Sequence, residues 1–418
     1  MFRKIVTFDE AKQILEQNFI ARPIGVEQVS IQEAHERVLA QDVVSQIDIP
    51  PFTRSVVDGY AVKAIDTFSA SENKPVSLLF CGHVAIGIIP KVVVKSGSAA
   101  EIVTGAPLPE GADSVVMVEQ TNRKKQNVLV HRPVAIGENL MSAGSDIRKN
   151  ETVLKKGRFL SSREVGVLAA IGLTDVTVYR RPKVAVFSTG GEVIAPGEPL
   201  SPGKIYDINA YTLSAAVEES GGEPVNLGII SDKKDELEKA LRNSLSSADV
   251  VITSGGVSVG PKDFTPQVVN SLGNPGVIIS GIAVKPGKPM TIAVVDGKPI
   301  FSLPGNPTSS LFMFSLFVHP VLVRLAGRPE EKWSKIRAVV MKKMFPARGR
   351  RTFVMVNLNY DKNGKLTASP VPIGLSGAIT TLSKADGFVE ISEKQQFVDV
   401  GTKIDVYLFD KFSKIKNT

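Results

Sequence analysis

The sequence is poor in the residues from which proteins build their own metal sites and cross-links. It has one cysteine, Cys81, and only four histidines among 418 residues. One cysteine excludes an intramolecular disulfide and any zinc or iron–sulfur site made of cysteines. The histidines lie far apart, without the spacing of metal ligands. We therefore expect that any transition metal handled by this protein is held by something other than its own cysteines and histidines.

Aromatic residues and concentrated charge are also scarce. Phe, Trp and Tyr make up 6% of the chain, and the net charge of +8, from 50 basic and 42 acidic residues, is spread along its length. Proteins that bind nucleic acid usually cluster their basic residues and interleave aromatic ones. The basic excess therefore favours small anionic ligands, with nucleic acid as the weaker alternative.

No long apolar run is evident, although the hydrophobic fraction of 43% is enough for several cores. The N-terminal segment MFRKIVTFDEAKQILEQ carries charge in every turn and has no apolar signal core. The most apolar stretch, residues 311–323, is interrupted by His319 and Pro320. It falls short of the roughly 20 residues that span a bilayer. We expect a soluble, cytoplasmic protein without a membrane partner.

The first part of the chain changes from helical to strand-like patterning. Apolar residues at helical spacing predict helices over 7–19 and 31–40. From 75 to 160, short β-rich runs alternate with Gly and Pro turns, which is typical of a small β-domain or barrel. Residues 161–173 predict another helix, capped by Ser161 with Glu164 three positions later.

The second part predicts an α/β domain followed by a β-domain. Strands alternate with helices over 180–327, which implies parallel strands in a three-layer arrangement. Residues 330–410 carry short alternating strands of a small β-barrel or sandwich. The fold class is therefore α/β plus β, multidomain. We predict four domains: a discontinuous N-terminal helical and linking domain (1–46 and 148–179), an inserted β-rich domain (47–147), an α/β domain (180–328) and a C-terminal β-barrel domain (329–418).

Three glycine-rich turns each follow a predicted strand of the α/β domain: 188–192 (STGGE), 254–260 (SGGVSVG) and 303–310 (LPGNPTSS). Ligands of parallel sheets bind beyond the carboxyl ends of the strands, and small residues there let backbone N–H groups approach a phosphate. A single turn of this kind more often merely joins strand to helix, but three at one edge indicate an anion or nucleotide site. The residues expected to line it are Ser188, Thr189, Gly190, Gly255, Gly256, Ser258, Gly305, Asn306, Pro307 and Ser309.

Carboxylates accompany these turns, as they would beside Mg²⁺ and a phosphate. Asp207 and Asp232 each precede a predicted helix, so helix capping is an alternative for both. Glu192 and Asp263 have no such simple capping role and are the stronger metal-ligand candidates.

Polar residues outside these turns are less telling by themselves. Lys285 and Lys288 lie in the turn KPGKP, whose prolines hold the backbone and present the lysines, although a solvated charged turn is the alternative. Asp58, Thr104 and Asp146 each lie near a glycine in a loop, and singly they look like ordinary turn residues.

Together these stretches resemble one family, the molybdopterin molybdenumtransferases, which include the C-terminal domain of gephyrin. The resemblance covers essentially the whole chain and lies in nine strings in the same order: PPFTRSVVDGYAV, EIVTGAPLP, GADSVVMVE, AGSDIR, VFSTGGEV, KIYDIN, TSGGVSVGPKDF, KPGKP and LPGNPTSS. The family is a four-domain, elongated homodimer, and its α/β domain looks like the small molybdopterin adenylyltransferases. The resemblance thus makes residues 180–328 a molybdopterin-binding domain.

The resemblance implies an activity and a set of site residues. The family accepts adenylylated molybdopterin and molybdate, with Mg²⁺, releases AMP and leaves molybdenum on the dithiolene of the pterin. Such a substrate supplies its own sulfur ligands, in keeping with the scarcity of cysteine and histidine. The cleft of the family lies between the α/β domain of one subunit and the domain near Asp58 and Thr104 of the other. The functional positions that carry over are Asp58, Thr104, Asp146, Glu192, Asp232, Asp263 and Lys285.

A division of roles follows from this resemblance. Glu192 and Asp263 would hold Mg²⁺ or order the pterin and ribose, while Lys285 and Lys288 would neutralise the phosphate and the incoming oxyanion. The glycine turns would bind the diphosphate. The main requirement of such a cleavage is stabilisation of the charge that builds on the leaving phosphate.

Two positions depart from the family pattern. Gly191 stands where many relatives have an acidic residue, and Gly281 where bacterial members often have a second lysine. We expect Lys288 or an arginine to complete the oxyanion site.

Two other functions remain as alternatives: molybdopterin adenylyltransferase, and a non-catalytic pterin-binding scaffold. The motifs in 1–179 and 330–418 disfavour the first, and the lack of a long linker or fused second enzyme disfavours the second. The sequence leaves open whether molybdate or tungstate is the anion. A molybdopterin adenylyltransferase and apo-molybdoenzymes are the candidate protein partners.

Overall fold

The computed structural model describes residues 5–256, 265–330, 332–371, 380–409 and 416–417. The chain forms two compact units: a larger unit of Met1–Glu27, Glu36–Val38 and Val178–Thr418, and a β-rich unit of Gln28–His35 and Leu39–Thr177. The helices are α1 (Phe8–Asn18), α2 (Ser162–Ala170), α3 (Asn209–Glu219), α4 (Lys234–Ser247), α5 (Thr265–Leu272), α6 (Pro307–Met313), α7 (His319–Leu325) and α8 (Thr380–Lys384).

The strands follow in chain order. They are β1 (Val26–Ser30), β2 (Val43–Val44), β3 (Arg54–Ser55), β4 (Gly59–Val62), β5 (Val76–Val84), β6 (Ser98–Ile102), β7 (Ser114–Met117), β8 (Thr121–Lys124), β9 (Asn127–Val130), β10 (Leu140–Met141), β11 (Thr152–Leu154), β12 (Asp175–Tyr179), β13 (Lys183–Thr189), β14 (Val193–Ile194), β15 (Ile205–Tyr206), β16 (Glu223–Ile230), β17 (Val250–Ser254), β18 (Pro275–Ser280), β19 (Val284–Lys285), β20 (Thr291–Val295), β21 (Lys298–Leu303), β22 (Lys335–Val340), β23 (Arg351–Tyr360), β24 (Leu366–Pro370), β25 (Gly387–Ile391), β26 (Lys403–Leu408) and β27 (Lys416–Asn417).

The β-rich unit is built on a six-stranded sheet with the order β7-β4-β6-β5-β9-β8. All neighbouring pairs are antiparallel except β5 and β6, which run parallel. Alternating residues of β4 face two apolar clusters: Tyr60 and Val62 lie in one, and Ala61 lies in the other. Gly59, at the start of β4, is required by close packing, because a Cβ there would lie 1.9 Å from the carbonyl oxygen of Val116.

The predicted cap of α2 is confirmed. Glu164 accepts hydrogen bonds from the backbone and hydroxyl of Ser161, while the Ser161 hydroxyl accepts from the helix backbone. The Arg158 guanidinium also donates to Glu164, with Nε 3.0 Å from Oε1. The Ser161 and Arg158 hydrogen bonds lower the pKa of this buried carboxyl to about 2, so it stays ionised at the start of the helix.

The helix predicted over 31–40 is wrong: these residues form turns and isolated bridges. The reason is long-range pairing of the backbone. The N–H of Leu39 donates to the carbonyl of Arg158, and that of Ala40 donates to Thr177. The apolar residues that suggested a helical face are buried by these pairings instead, and Leu39 is fully buried.

The α/β part of the larger unit has a six-stranded sheet with the order β16-β13-β17-β21-β20-β18. The first four strands run parallel, as predicted, whereas β20 runs in the opposite direction and pairs antiparallel with both β21 and β18. The departure arises at a two-residue turn between β20 and β21. Asp296 and Gly297 both have positive φ, 47° and 81°, the conformation that closes a tight hairpin.

Helices cover both faces of this sheet. Val186 of β13 packs in the same cluster as Leu213 of α3 and Phe312 of α6. On the other face, Phe187 packs in a cluster with Leu241 of α4 and Val268 of α5. These are the three predicted layers, and the predicted fold class is confirmed.

The C-terminal strands close into a barrel. The pairing order β23-β24-β22-β26-β25 returns to β23 through an additional pairing with β25, while β19 and β27 add to β23 from outside the ring. This closed circuit decides between the barrel and sandwich alternatives. The finer division of the chain into four domains remains a prediction.

One apolar helical segment in the described part of the chain is longer than the apolar stretch 311–323 noted in the sequence. Pro307–Leu325 runs through α6, a π-helical turn (Phe314–Val318) and α7, and its length and composition would suffice to cross a membrane. The helix continues past His319 and Pro320 because Pro320 lies in the first turn of α7. Of its most apolar window, 61% is buried inside the protein.

Candidate active site

Three glycine turns meet where β13, β17 and β21 end. The N–H of Gly255, after β17, donates to the carbonyl of Leu303 in β21 at 3.1 Å. Gly255 has a φ of +89°, and a Cβ there would lie 2.4 Å from the carbonyl oxygen of Thr189 in β13. Only glycine allows this approach, so the turns that the sequence predicted at one sheet edge lie directly against one another.

The turn after β21 leads into α6 through a side-chain cap. Asn306 is the N-cap residue, and its Oδ1 accepts from the backbone N–H of Ser309 at 3.3 Å. Pro307 follows at the first helical position, where the missing N–H costs no helical hydrogen bond. Asn306 and Pro307 thus set the direction of the helix away from the sheet edge.

Asp207 serves the fold, as its capping alternative predicted. Its Oδ1 accepts from the Ser188 hydroxyl at 2.8 Å and from the N–H of Ala210, in the first turn of α3, at 3.1 Å. Asp207 is 5% exposed and Ser188 is 2% exposed. The Ser188 hydroxyl is therefore engaged with Asp207 inside the protein and fixes the start of α3 relative to β13.

Asn209 is a buried residue of the edge that sequence reasoning missed. Its Nδ2 donates to the Ser254 hydroxyl at 2.7 Å and to the carbonyl of Gly305 at 2.8 Å. The residue is 7% exposed, and its Oδ1 is buried with no hydrogen-bond partner in the described part of the chain. The only available signal was a polar residue at a helix start within the KIYDIN string, which says nothing about its contacts.

Glu192 lies in the turn after β13 with an open carboxylate. The residue is exposed, and among the described residues its side chain has no hydrogen-bond partner. Its Oε2 would lie 2.8 Å from a Cβ at Gly190, so the carboxylate lies close over that glycine. The carbonyl of Glu192 accepts from Ile205 at 2.9 Å, which anchors the turn to β15.

Asp263 and Ser258 lie outside the described residues. Gly256 has a φ of +65° and is exposed. Asp232 is exposed before α4 but does not cap it, because the N-cap residue is Lys233, which makes no capping side-chain bond. The capping alternative for Asp232 is therefore wrong, and its carboxylate has no hydrogen-bond partner in the described part of the chain.

Lys285 and Lys288 are both exposed in their turn. Lys285 ends β19 and pairs in register with Thr352 of β23. Gly287, between the lysines, has a φ of +99°, and a Cβ there would lie 2.2 Å from Met313 Cγ. Packing of this glycine against α6 holds the turn while both ammonium groups face solvent.

In the β-rich unit, Asp58 and Thr104 form a hydrogen-bonded pair. Asp58 Oδ1 accepts from the Thr104 backbone N–H at 2.7 Å and from its hydroxyl at 2.9 Å. These two bonds, the backbone one first, lower the pKa of the exposed Asp58 carboxyl. Asp146 is also exposed, and its carboxylate makes no hydrogen bond to another described residue.

The described residues contain no group of three or more His, Cys, Asp and Glu side chains that could hold a metal ion. The open carboxylate of Glu192 nevertheless suits a hard divalent cation. Mg²⁺ usually takes one or two carboxylates and completes its shell with water and substrate phosphates. A single protein carboxylate with an approachable glycine backbone beside it fits that chemistry.

Comparisons with known proteins match the chain along most of its length. Three family models match in order: the MoeA N-terminal region (domain I and II) over residues 6–172, a probable molybdopterin binding domain over 185–324, and the MoeA C-terminal region (domain IV) over 337–409. A molybdopterin molybdenumtransferase of Bacillus subtilis is 34% identical over 91% of this chain and 89% of its own length. A molybdopterin molybdenumtransferase of Haemophilus influenzae is 33% identical over 97% of this chain and 99% of its own length.

Solved structures agree with these sequence matches. A crystal structure of a molybdopterin biosynthesis MoeA protein from Pyrococcus horikoshii has 42% identity and a TM-score of 0.82, covering 98% of this chain and 100% of that one. A second MoeA structure from the same organism has 31% identity and a TM-score of 0.79, covering 97% and 100%.

Proposed function

Since the chain belongs to the molybdopterin molybdenumtransferase family and is an enzyme that inserts molybdenum into molybdopterin, we propose that its reaction centre is the edge where β13, β17 and β21 end. There it takes adenylylated molybdopterin and molybdate or tungstate and releases AMP. One observation carries this proposal: three glycine turns lie against one another at this edge, beside the open carboxylate of Glu192.

The turns supply the phosphate contacts in this proposal. Their glycines, among them Gly190, Gly255, Gly256 and Gly305, carry no side chain that would keep an anion from the backbone. Thr189 and Ser188, which are buried, hold the end of β13, while Asn306, Pro307 and Ser309 form the start of α6. Ser258, which lies outside the described residues, is assigned to the phosphate contacts from the sequence alone.

The charged residues divide the remaining work. We assign Glu192 and Asp263 to Mg²⁺, which when bound neutralises negative charge on the phosphate. Lys285 and Lys288, with both ammonium groups exposed, would neutralise the phosphate and the incoming oxyanion. No residue of this chain needs to bind molybdenum directly, because the dithiolene of the substrate accepts it.

Three further carboxylates belong to the proposed machinery. Asp58, held ionised by Thr104, is a fixed negative charge that can order a substrate N–H or O–H group. Asp146 and Asp232 are exposed and unpartnered among the described residues, which leaves both free to contact the substrate.

The decisive experiment is AMP release from adenylylated molybdopterin with Mg²⁺, measured with and without molybdate or tungstate. We expect release that depends on the oxyanion, and the more effective anion identifies the metal used. Tight binding without release would instead support the adenylyltransferase or scaffold alternatives, and absence of binding would overturn the assignment of this edge.

A substitution tests the role of Glu192. Glu192→Gln should abolish AMP release while substrate binding stays intact, because the amide keeps the shape of the side chain but loses the charge that holds the cation. Glu198→Gln is the matched control, since Glu198 is exposed in the same connection between β13 and α3. Unchanged turnover of Glu192→Gln would refute this assignment.

Assembly and location complete the proposal. We propose a homodimer in the cytoplasm that receives its substrate from a molybdopterin adenylyltransferase and passes its product to apo-molybdoenzymes. Light scattering of the purified protein tests the dimer, and cell fractionation tests the location. A monomer at micromolar concentration, or recovery in the membrane fraction, would contradict the respective point.

A further inference from the structure

The amide of Asn209 has one orientation. The carbonyl of Gly305, 2.8 Å from Asn209 Nδ2, can only accept a hydrogen bond, so the amide nitrogen must face it. The second N–H of the same nitrogen points to the Ser254 hydroxyl at 2.7 Å. Both donors of the amide are therefore used, and Oδ1 faces the other way.

These two bonds join separate parts of the sheet edge. The Ser254 hydroxyl donates to the carbonyl of Pro304 at 3.4 Å and is thereby free to accept from Asn209. Asn209 begins α3, Ser254 ends β17, and Gly305 lies in the turn after β21. One side chain thus connects the start of a helix to two of the three glycine turns.

The hydrogen bonds of the Asn209 amide are only half complete, which counts against a purely structural role. Oδ1 is buried without a partner among the described residues, and a buried acceptor left unpaired costs free energy that an apolar residue of similar size would not lose. A neighbouring residue already performs the capping, since Asp207 accepts from the first turn of α3. A buried, half-satisfied amide at a reaction centre is the kind of unpaired group for which a functional reason is sought.

We propose that Asn209 is a positioning residue for the molybdenum-insertion reaction. It acts through Ser254 and Gly305, whose spacing its two amide donors fix, so that the glycine backbone beside them is aligned before the phosphate of the substrate arrives. The inference rests on the proposed function, because it takes this edge as the place where that phosphate binds. Misalignment of such groups by about 1 Å lowers rates by roughly 100-fold.

Two variants of nearly equal size test the idea. Asn209→Asp removes both donors and sets a carboxylate against the carbonyl of Gly305, whereas Asn209→Leu removes the donors together with the unpaired acceptor. We expect kcat/KM for AMP release to fall at least about 10-fold in both. Asn209→Leu should nevertheless keep its Tm within about 3 °C of the parent protein.

Ser220→Ala is the control. Ser220 is buried at the other end of α3, where its hydroxyl bonds to Ala216 and His319, so its loss perturbs the same helix away from the edge. A merely structural role for Asn209 predicts that Asn209→Leu lowers Tm and leaves kcat/KM per folded molecule unchanged, as in the control.

That pattern, or parental kcat/KM in both Asn209 variants, would overturn the inference. Failure of the parent protein itself to release AMP would overturn the proposed function, and this role with it. If the parent protein releases AMP and a stable Asn209→Leu protein releases it slowly, the proposed function and the positioning role are both supported.

Discussion

Two aspartates in different parts of the molecule make the same pattern of hydrogen bonds with opposite results. Asp207, at the edge of the α/β sheet, accepts on Oδ1 from Ser188 and from the backbone of Ala210. Asp58, in the β-rich unit, accepts on Oδ1 from the hydroxyl and backbone of Thr104. Asp207 is 5% exposed, whereas Asp58 is exposed. Burial therefore separates a carboxylate that holds the fold from one that remains available for chemistry.

The largest difference between the two regions should be the loss of unfolding free energy when a glycine is replaced by alanine. Gly255→Ala at the buried edge would place a Cβ 2.4 Å from a backbone oxygen, and Gly105→Ala, beside Thr104, would place one 3.3 Å from the end of the Ile86 side chain. Both glycines have similar positive φ values, +89° and +83°, so backbone strain is matched. We expect a loss of about 3 kcal/mol for Gly255→Ala and about 1 kcal/mol for Gly105→Ala, measured by denaturant unfolding. Equal losses would show that the edge is not tightly packed.

The aspartates themselves provide the next test. Asp207→Ala should lower the free energy of unfolding by about 2 kcal/mol, because it removes a helix cap and leaves the buried Ser188 hydroxyl unpaired. Asp58→Ala should leave stability nearly unchanged and reduce AMP release. Comparison of unfolding curves with turnover for the two variants checks this, and a stable, active Asp207→Ala protein would remove the distinction.

A smaller effect is expected on the pKa of the Asp58 carboxyl when Thr104 is replaced. Thr104→Val removes the hydroxyl bond and keeps the backbone bond, so the lowered pKa of Asp58 should rise part of the way to its ordinary value. A carboxyl whose pKa is lower in the folded state stabilises the folded protein at pH values above its unfolded pKa. This stabilisation is lost as the pH falls through the folded pKa. Because the proposed role of Asp58 needs the ionised carboxylate, the acid limb of activity should also move to higher pH in Thr104→Val. NMR titration of the Asp58 carboxyl measures the shift, and an unchanged pKa would contradict the role of the hydroxyl.

The smallest effect concerns Trp333, the only tryptophan. Its ring packs edge-on against that of Phe388, with the ring centroids 5.2 Å apart. Trp333 also lines a cavity of about 650 Å³ together with Ile208 and Pro307, which flank the sheet edge. Substrate binding at that edge should change the fluorescence intensity of Trp333. No change on addition of adenylylated molybdopterin to the parent protein would contradict this prediction.

Local patterns in the sequence predicted the regular elements well. Alternation of strands and helices was sufficient for the parallel strands of the α/β sheet, and Ser161 with Glu164 was sufficient for the cap of α2. The helix predicted over 31–40 was wrong because its backbone pairs with residues more than 100 positions away, which no local pattern reports.

The site was predictable only where chemistry is visible in residue type. Glycine turns after strands pointed to one edge, and the structure brings the described parts of those turns into contact. Asn209 was missed because its importance lies in two hydrogen bonds to distant residues. Asp207 and Asp232 look alike in the sequence, each before a helix, and only the geometry of the helix start shows that one caps and the other does not.

The closed ring of β23, β24, β22, β26 and β25 bears on how this protein behaves when it is crowded. A closed barrel leaves few unpaired backbone groups onto which a foreign strand could add, which is how many sheet proteins begin to aggregate. The open α/β sheet ends in β16 and β18, and each of these strands contains a proline within its first two residues and an irregularity in its register. Proline and such bulges make poor templates for a further strand. We therefore expect neither the α/β sheet nor the barrel ring to be the place where strand addition between crowded molecules begins.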